Sequence, residues 1–398
     1  MESVTIRAVR TKEEFNDFLR FGNRLYAESP YYVPDLEMDI RATFNPKKNS
    51  ALEYSVIQPF IAIKDGEVVG RIAPFINKRS NERWNSSDAR FMYLDFIDDP
   101  KVSSLLLKTA EDWSLKRGMK WLKGPLGFTD FDKEGMLVSD FNLMGTVNTL
   151  YNFPYYSSHM EAAGYKKATD WVQIQLRVPE TLPERYLKTA RLSKQYLHLK
   201  VRTLTRSEVK NGYGKRIFDL INEAYAPLYG FTKIEDEQIE KFIKVYIQFI
   251  DLRLVPVVEN EKGEIVGVAV CMPSLSKVFR RMKGKLFPFG WYHLLRGMTP
   301  KRSKRVELLL IGVHPSLQGM GVNTLFFEYL IPIFHKFGYE EAETGPQLET
   351  NKNELSQWRL LDPKVVKRRR CYQKELGVKN DAPGYADAEN HIEFKQQM

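Results

Sequence analysis

The sequence predicts an α+β fold in which one order of strands and helices occurs twice. Each half has a helical region, then a two-stranded hairpin, a long apolar strand, a helix and a further strand. This order mixes antiparallel hairpins with strand–helix–strand connections. It therefore favours a mixed sheet with helices on both faces over a doubly wound parallel sheet.

The hairpins are the clearest elements shared by the two halves. One is predicted over 60–73 with its turn at Gly66, and the other over 254–270 with its turn at Gly263. In both, apolar residues form the strands on either side of the turn. The matching order and turn position indicate a duplication.

The strand and helix after each hairpin also correspond. A strand at 91–96 precedes a helix at 102–116, and a strand at 306–313 precedes a helix at 323–337. Gly118, the predicted C-cap of the first helix, lies 220 residues before the glycine that ends the second. The two segments therefore align almost without gaps.

Breaks in the pattern predict the domain boundaries. A first domain is expected over 1–175 and a second over 198–378, joined by a linker at 176–197. The linker contains two prolines within 178–183, which interrupt any regular periodicity. Residues 379–398 are polar and predict a loosely held tail.

The composition is that of a soluble globular protein. Of the 398 residues, 43% are hydrophobic and 28% are charged. No apolar run is long enough to span a membrane, and the N-terminus lacks a signal-like apolar segment. Two cysteines are too few for a disulfide framework or a Cys-rich zinc site, and no metal site is predicted. The simplest expectation is a cytoplasmic protein.

The net charge of +10 arises in one segment of the chain. Residues 276–305, the basic insert, contain ten Lys and Arg residues and no Asp or Glu. The insert also contains aromatic residues over 287–292. A solvated loop, a site for an anionic acceptor or cofactor phosphates, and a membrane surface all remain open. Nucleic acid is least favoured, because the rest of the chain is neutral overall.

The stretch most informative about chemistry is a glycine-containing loop between the strand at 306–313 and the helix at 323–337. Backbone amides in such a loop, together with the helix N-terminus, can form a cradle for phosphate oxygens. Gly319 and Gly321 would let the backbone approach the anion. The loop is neither a Walker A sequence nor a dinucleotide fingerprint. The alternative is a turn that uses glycine only for its geometry.

This loop resembles that of the GNAT family of acyl-CoA-dependent N-acyltransferases. The resemblance rests on the strand, on His314-Pro315 and on the Gln/Arg-x-x-Gly-x-Gly/Ala loop that binds the CoA pyrophosphate in that family. Gln318 and Gly321 match the loop, whereas Asn323 stands where Gly or Ala is usual. Asn tolerates left-handed backbone and caps helices, so the departure is modest.

A second motif extends the resemblance over roughly 198–378. Asn351 and Tyr372 resemble the family's later motif, in which an Asn and a Tyr lie near the thioester. The resemblance implies two tandem GNAT-like domains, each a mixed, mostly antiparallel central sheet flanked by helices. It also implies acetyl-CoA or another acyl-CoA as cofactor. The residues expected to bind it are Ile311, Gly312, Val313, Gln318, Gly319, Met320, Gly321, Val322, Asn323 and Asn351.

Acyl transfer to an amine requires a polarised carbonyl, a neutral amine and a proton for the departing thiolate. The resemblance makes Tyr372 the candidate acid, and Glu307, eleven residues before Gln318, the candidate base. A buried core Tyr and a solvated Glu at a strand end are the alternatives. Direct transfer needs no covalent enzyme intermediate, so Cys371 is not predicted to act as a nucleophile.

The first half keeps the skeleton but lacks the loop. Its connection at 97–101 is about five residues shorter, has no glycine and carries two acids, which would repel a pyrophosphate. Residues 1–175 are therefore interpreted as a degenerate GNAT-like domain that supports the other half or lines the acceptor site. Acids that could bind an amine, or could simply be solvated, are Asp130, Asp132, Glu134 and Asp140.

The sequence thus predicts an N-acyltransferase, with transfer of acetyl from acetyl-CoA to an amine as the first hypothesis. The expected acceptor is a small-molecule or peptide amine. The alternatives are an aminoacyl or long-chain acyl transferase of the same fold, or a non-catalytic module that binds CoA or another ligand. The acceptor depends on pocket shape and is not predicted.

Overall fold

The structure is a computed structural model that describes residues 3–247, 250–299 and 301–377. The described chain mixes helices with two mainly antiparallel sets of strands, so the predicted α+β class is confirmed. The tail predicted at 379–398 lies outside the described residues. The chain divides into two compact units. The first comprises Met1–Asp170, Phe279–Pro288 and the chain from Lys367 onward, and the second comprises Trp171–Val278 and Phe289–Val366.

The first unit is built on a sheet with the strand order β1-β3-β4-β5-β6-β15. Its elements are β1 (Val4–Ala8), α1 (Lys12–Leu25), α2 (Glu37–Thr43), β2 (Ser55–Ile57), β3 (Phe60–Lys64), β4 (Glu67–Asn77), α3 (Lys78–Trp84), β5 (Asp88–Phe96), α4 (Pro100–Leu115), β6 (Trp121–Gly124), β7 (Met136–Leu137), α5 (Tyr155–Ala162) and β15 (Lys364–Glu375). Neighbouring strands of this order are antiparallel except β5 and β6, which are parallel. Apolar residues of α1 and α2 pack with one cluster of buried strand residues, and those of α4 and α5 with another.

The second unit has the corresponding strand order β9-β10-β11-β12-β13-β8. Its elements are β8 (Lys166–Arg177), α6 (Glu184–Tyr196), β9 (Lys200–Thr203), α7 (Arg206–Glu208), α8 (Gly214–Tyr225), α9 (Asp236–Tyr246), β10 (Pro256–Glu259), β11 (Ile265–Pro273), α11 (Gly290–Gly297), β12 (Arg305–Val313), α12 (Val322–Phe337), β13 (Glu341–Thr344), β14 (Gln347–Leu348) and α13 (Lys352–Ser356), although β8 begins in the first unit. Helix α10 (Ser276–Met282) begins in the second unit and ends in the first. Here β12 and β13 form the parallel pair. The core packs α6 and α12 against β8 and β10–β13.

The last strand of each sheet comes from the other half of the sequence. Strand β8 comes directly after the elements of the first unit in the chain, but it pairs with β13 in the second unit. Strand β15 closes the chain but pairs with β6 in the first unit. This exchange departs from a simple succession of two folded halves, although the boundaries predicted at 175 and 198 remain predictions.

Both units carry a β-bulge on the strand that precedes the strand-to-helix connection, which is β5 in the first unit and β12 in the second. Between β11 and β12, Cys271 pairs with Leu308 and Val270 with Leu310, so Leu309 is the extra residue. Between β4 and β5 the register shifts between the pairs Arg71–Asp95 and Ala73–Met92, slightly nearer the end of the strand, and Tyr93 there has a positive φ of 53°. A bulge bends its strand and redirects its backbone groups. Its recurrence supports the duplication predicted from the sequence.

Candidate active site

The predicted strand, loop and helix are present in the second unit. Strand β12 ends at Val313, a short 3₁₀ turn covers Pro315–Leu317, and α12 begins at Val322. Gly319 and Gly321 have φ values of 78° and 82°, in the left-handed region where a side chain is disfavoured. The loop is exposed to solvent from Gln318 to Met320. These glycines are therefore required by the backbone conformation of an exposed loop.

The N-terminus of α12 has no side-chain cap. Its N-cap residue is Gly321, whose carbonyl accepts a hydrogen bond from the Thr324 amide at 3.0 Å. The amides of a helix's first turn need an acceptor from outside the helix, and the helix dipole favours a negative one. Because no side chain accepts a hydrogen bond from these amides, this end of α12 can bind an anion such as a phosphate.

Helix α6 packs against the same loop. The Ser193 hydroxyl donates a hydrogen bond of 2.9 Å to the Met320 carbonyl. A Cβ atom on Gly321 would lie 2.3 Å from Cγ2 of Thr189, so a side chain there would displace α6. The exposed cations Lys188 and Arg191 are next to these contact residues in the chain. Helix α6 thus fixes the position of the loop through Ser193 and Thr189.

Strand β12 has an open edge between its bulge and the loop. It pairs with β13 only over Arg305–Leu308, after which the Gly345 amide donates to the Leu308 carbonyl at 2.8 Å and the two strands separate. The Ile311 carbonyl accepts from the Tyr225 hydroxyl at 3.2 Å, and the Val313 carbonyl accepts from Gln318 Nε2 at 3.1 Å.

Alternate residues of a strand direct their backbone groups to the same side. The amides of Ile311 and Val313 therefore face the side that β13 has left. This edge can bind an extended ligand as an added strand would bind.

Two buried glutamates lie where β12 and β13 separate. Glu307 is in register with Glu343, one residue before the last pair of the ladder. Glu343 accepts hydrogen bonds from Arg305 Nη1 at 2.8 Å and from Gln173 Nε2 at 3.2 Å. Glu307 is thus a buried acid at the start of the open edge, and not the solvated strand-end residue that the sequence left as an alternative.

A third acid, Glu354 on α13, was missed by the sequence analysis. Burial raises the pKa of its carboxyl to about 7, against the opposing effect of hydrogen bonds from Gln347 and Asn351. Asn351 Nδ2 donates to Glu354 Oε2 at 2.9 Å, and Asn351 is also the N-cap of α13. The spacing Asn-x-x-Glu, a helix-capping pattern, was the available signal. A carboxyl that titrates near neutrality is suited to general base catalysis.

Tyr372 belongs to the first unit, whereas the other predicted site residues belong to the second. It is buried on β15, in register with Gly124 of β6, and its ring belongs to that unit's core. The Arg370 guanidinium carbon lies 5.7 Å from its ring centroid. Glu307, Asn351 and all the loop residues belong to the second unit. The catalytic role of Tyr372 stays a prediction.

Asn323 and the helix α13 segment are connected by a side-chain contact. Asn323 Nδ2 donates to Gln357 Oε1 at 3.4 Å, and the Gln357 carbonyl accepts from the Tyr186 hydroxyl of α6 at 2.6 Å. The residue that departs from the family's loop pattern therefore links α12 to the segment that carries Asn351 and Glu354. This is a structural role that glycine or alanine would not perform.

The first unit has a polar cluster where the second has its open edge. The Tyr26 hydroxyl donates to Asp95 at 2.7 Å and is 2.6 Å from the Tyr156 hydroxyl. Arg71 Nε donates to Asp95 at 2.7 Å, and all four side chains are buried. They border a cavity of about 30 Å³, enough for a water molecule. Of the four acids considered for an acceptor, Asp132 accepts a local hydrogen bond from the Thr129 amide.

Comparison with known proteins gives relatives over most of the chain, although no family model matches it. A bacterial ceramide synthase from Caulobacter vibrioides is 28% identical over 88% of this chain and 91% of its own. Protein YghO from Escherichia coli is 24% identical over 93% of this chain and 95% of its own.

Solved structures show the same architecture. A tandem GNAT protein from the clavulanic acid biosynthesis pathway has a TM-score of 0.54 at 12% identity, covering 94% of this chain and 99% of that one. The fold is that of the tandem GNAT proteins. A GCN5-related glucosamine N-acetyltransferase region of a fungal β-N-acetylglucosaminidase has a TM-score of 0.55 at 11% identity, covering 94% of this chain and 38% of that one. The GNAT resemblance seen in the sequence is thus confirmed at the level of the fold.

Proposed function

We propose that the protein is an acyl-CoA-dependent N-acyltransferase whose donor site lies in the second unit. The observation that carries the proposal is the uncapped N-terminus of α12, which follows a strand with an open edge. The residues present fit acyl-CoA in two respects. The first turn of α12 has no side-chain acceptor of its own, and the close contact between Gly321 and α6 leaves no room for a side chain that could fold over the loop. The amides of the loop and of the first turn would hold the pyrophosphate.

The open edge of β12 gives the remaining contacts for the donor. The amides of Ile311 and Val313 would pair with the pantetheine arm in the manner of an added strand. When bound, acyl-CoA supplies an activated thioester carbonyl. The backbone of β12 near the bulge would hold this carbonyl and polarise it, because N–H dipoles fixed in place stabilise developing negative charge.

Two carboxyls are candidates to receive the proton of the attacking amine. Glu307 is buried at the start of the open edge, and Glu354 has a pKa of about 7. A base acts in its deprotonated form, so with Glu354 as base the rate rises with pH and levels off above about 7. Tyr372 stays the proposed donor of the thiolate proton.

The name of one relative points to the class of acceptor. Ceramide is an amide of a fatty acid with a long-chain amino alcohol, and a ceramide synthase is 28% identical over 88% of this chain. We therefore propose a lipid amine as acceptor and a long-chain acyl-CoA as donor. The second candidate is acetyl transfer to a small amine, which the glucosamine N-acetyltransferase region favours.

The decisive experiment compares donors and acceptors with two glycine variants. The purified protein is incubated with acetyl-, octanoyl- or palmitoyl-CoA and either a long-chain amino diol or glucosamine, and thiol release and amide formation are measured. Gly319 and Gly338 have φ values of 78° and 75°, and a Cβ on either meets nothing within 4 Å. Gly319→Ala should weaken CoA binding about tenfold, whereas the matched control Gly338→Ala at the other end of α12 should not.

Each outcome distinguishes the hypotheses. Preference for palmitoyl-CoA and the amino diol supports a lipid acyltransferase, and preference for acetyl-CoA and glucosamine supports the second candidate. No binding and no thiol release with any donor would contradict both and leave a non-catalytic module.

Variants at the two acids identify the base. Glu307→Gln or Glu354→Gln should lower kcat by roughly 10²–10⁴ if that residue is the base. Only Glu354→Gln should also remove the rise of rate with pH below about 7. Glu264→Gln, at an exposed hairpin turn of the same unit, is the control. Unchanged kcat in both variants would exclude both residues as the base.

A further inference from the structure

We propose that the basic insert docks the protein on an anionic lipid surface through α11. Large apolar side chains are exposed on and just before this helix, among them Phe289, which is 72% exposed, and Trp291, which is 46% exposed. Contiguous exposed apolar side chains of this size are unusual on a soluble surface and mark an interaction site. The full set in the second unit is Phe289, Trp291, Tyr292 and Leu295.

Helix α11 is held in place from behind, so its exposed face has a fixed orientation. Gly290 at its start is buried. At its end, a Cβ on Gly297 would lie 2.4 Å from Cγ2 of Val278, so the backbone there is packed closely against α10. Trp291 and Leu295 are four residues apart and share the outward face. A simple solvated loop would pack its aromatic side chains on the protein. Here these side chains remain exposed on the outward face of α11.

The charge around the helix matches an anionic surface. The insert has ten basic residues and no acidic residue, and it accounts for the whole net charge of the chain. Exposed cations accompany α11 within the second unit, since Arg296 lies in the helix and Lys301 and Arg302 follow it. Apolar and aromatic side chains framed by cations are typical of helices that lie in the headgroup region of a bilayer.

The composition of the exposed face favours a bilayer over a nucleic acid. Leu295 cannot stack on a base or hydrogen-bond to one, and Trp291 and Tyr292 form an edge-to-face pair with centroids 6.3 Å apart. Such rings are typical of the interface between water and acyl chains. None of the helices in the described part of the chain has the length and apolar character of a membrane span.

The inference stands apart from the proposed donor site, because it uses none of the same residues. The test is cosedimentation of the full chain with vesicles, either of phosphatidylcholine alone or with phosphatidylglycerol added. Trp291→Ser/Leu295→Ser should lower partitioning to anionic vesicles at least tenfold. Both residues are exposed, so the variant should keep the wild-type melting temperature. Trp84→Ser is the matched control, since Trp84 is 42% exposed on α3 and lies outside the insert.

The outcomes separate docking from catalysis and from nucleic-acid binding. Support requires binding of the wild type to anionic vesicles, loss in the double variant, retention in Trp84→Ser, and unchanged CoA affinity in all three. Failure of the wild type to bind, or equal binding by the double variant, would overturn the proposal. Binding of a DNA or RNA oligonucleotide that is lost in the double variant, with no vesicle binding, would also overturn it.

Discussion

The two strand-to-helix connections of this molecule start from the same geometry and end differently. In the register of the sheets, Phe96 pairs with Gly70 and Val313 pairs with Gly267, so the two strands end at equivalent positions. In the first unit, Asp99 then caps α4, and its side chain accepts a hydrogen bond from the Lys101 amide at 2.9 Å. In the second unit, the cap position of α12 holds a glycine with no side chain to offer.

The pKa of Asp99 shows that its carboxylate is stabilised in this position. Desolvation acts to raise this pKa, but hydrogen bonds from the Lys101 amide and the Lys64 ammonium lower it overall. The N-terminus of α4 is therefore already neutralised by an anion that belongs to the chain. One capping carboxylate can therefore close an anion site while the strand and helix around it remain.

The edges of the equivalent strands β5 and β12 also differ, because the edge of β5 is already occupied by side chains of its own unit. The Phe96 amide donates to the Tyr156 hydroxyl at 2.9 Å, and its carbonyl accepts from the Tyr155 hydroxyl at 2.6 Å. The amide that would pair with an extended ligand is thus occupied by a tyrosine hydroxyl, whereas the carbonyl has a side-chain donor in both units. The first unit has closed both parts of the site, the helix end and the strand edge.

The largest expected effect is on the stability of the first unit. Asp95 aligns with Gly312 and forms a buried ion pair with Arg71. Removal of one partner of a buried pair costs about 3–5 kcal/mol, because the other charge stays buried. Asp95→Asn should lower the free energy of unfolding by about that amount and leave the affinity for CoA unchanged. Denaturation and calorimetric titration measure the two quantities, and a loss of CoA binding without destabilisation would contradict the assigned role.

The second-largest expected effect is on cofactor binding. Substitutions at Gly321 would give the connection before α12 a side chain at the cap position, as Asp99 gives the connection before α4. Thr189→Ala removes the methyl group that a side chain at position 321 would meet. On that background, Gly321→Asp places a carboxylate at the cap, and Gly321→Asn places a neutral group of the same shape. The Asp variant should bind CoA about 100-fold more weakly than the Asn variant. Equal affinities would show that charge at this position does not matter.

The sequence predicted the strand, loop and helix of the site because these depend on local signals. Gly319 and Gly321 mark a positive φ, and the apolar periodicity of α12 marks the helix. The sequence also showed two acids in the connection at 97–101. They were expected to repel a pyrophosphate, and the structure shows that one of them, Asp99, caps α4.

The strand exchange and the acid on α13 could not be predicted in the same way. Alternating apolar residues predict that a strand exists but not which strand it pairs with, so β8 and β15 gave no sign of their partners. The sequence therefore did not show that the strand carrying Tyr372 pairs with β6 of the first unit. The pKa of Glu354 depends on burial, which only the folded chain establishes.

The smallest effect tests which of the two closures in the first unit matters more. Asp99→Ala should lower the free energy of unfolding by about 1 kcal/mol, as is usual for the loss of an N-cap. The pKa of Asp99 is lowered on folding, so this contribution is present above the unfolded value of about 3.9 and is lost as the pH falls below it. Urea denaturation at neutral and acidic pH measures the difference.

The same variant tests the closure of the strand edge. Because Tyr155 and Tyr156 still occupy that edge, Asp99→Ala should bind one CoA per chain in calorimetric titration. Binding of a second CoA per chain would mean that the Asp99 carboxylate alone kept the first unit closed.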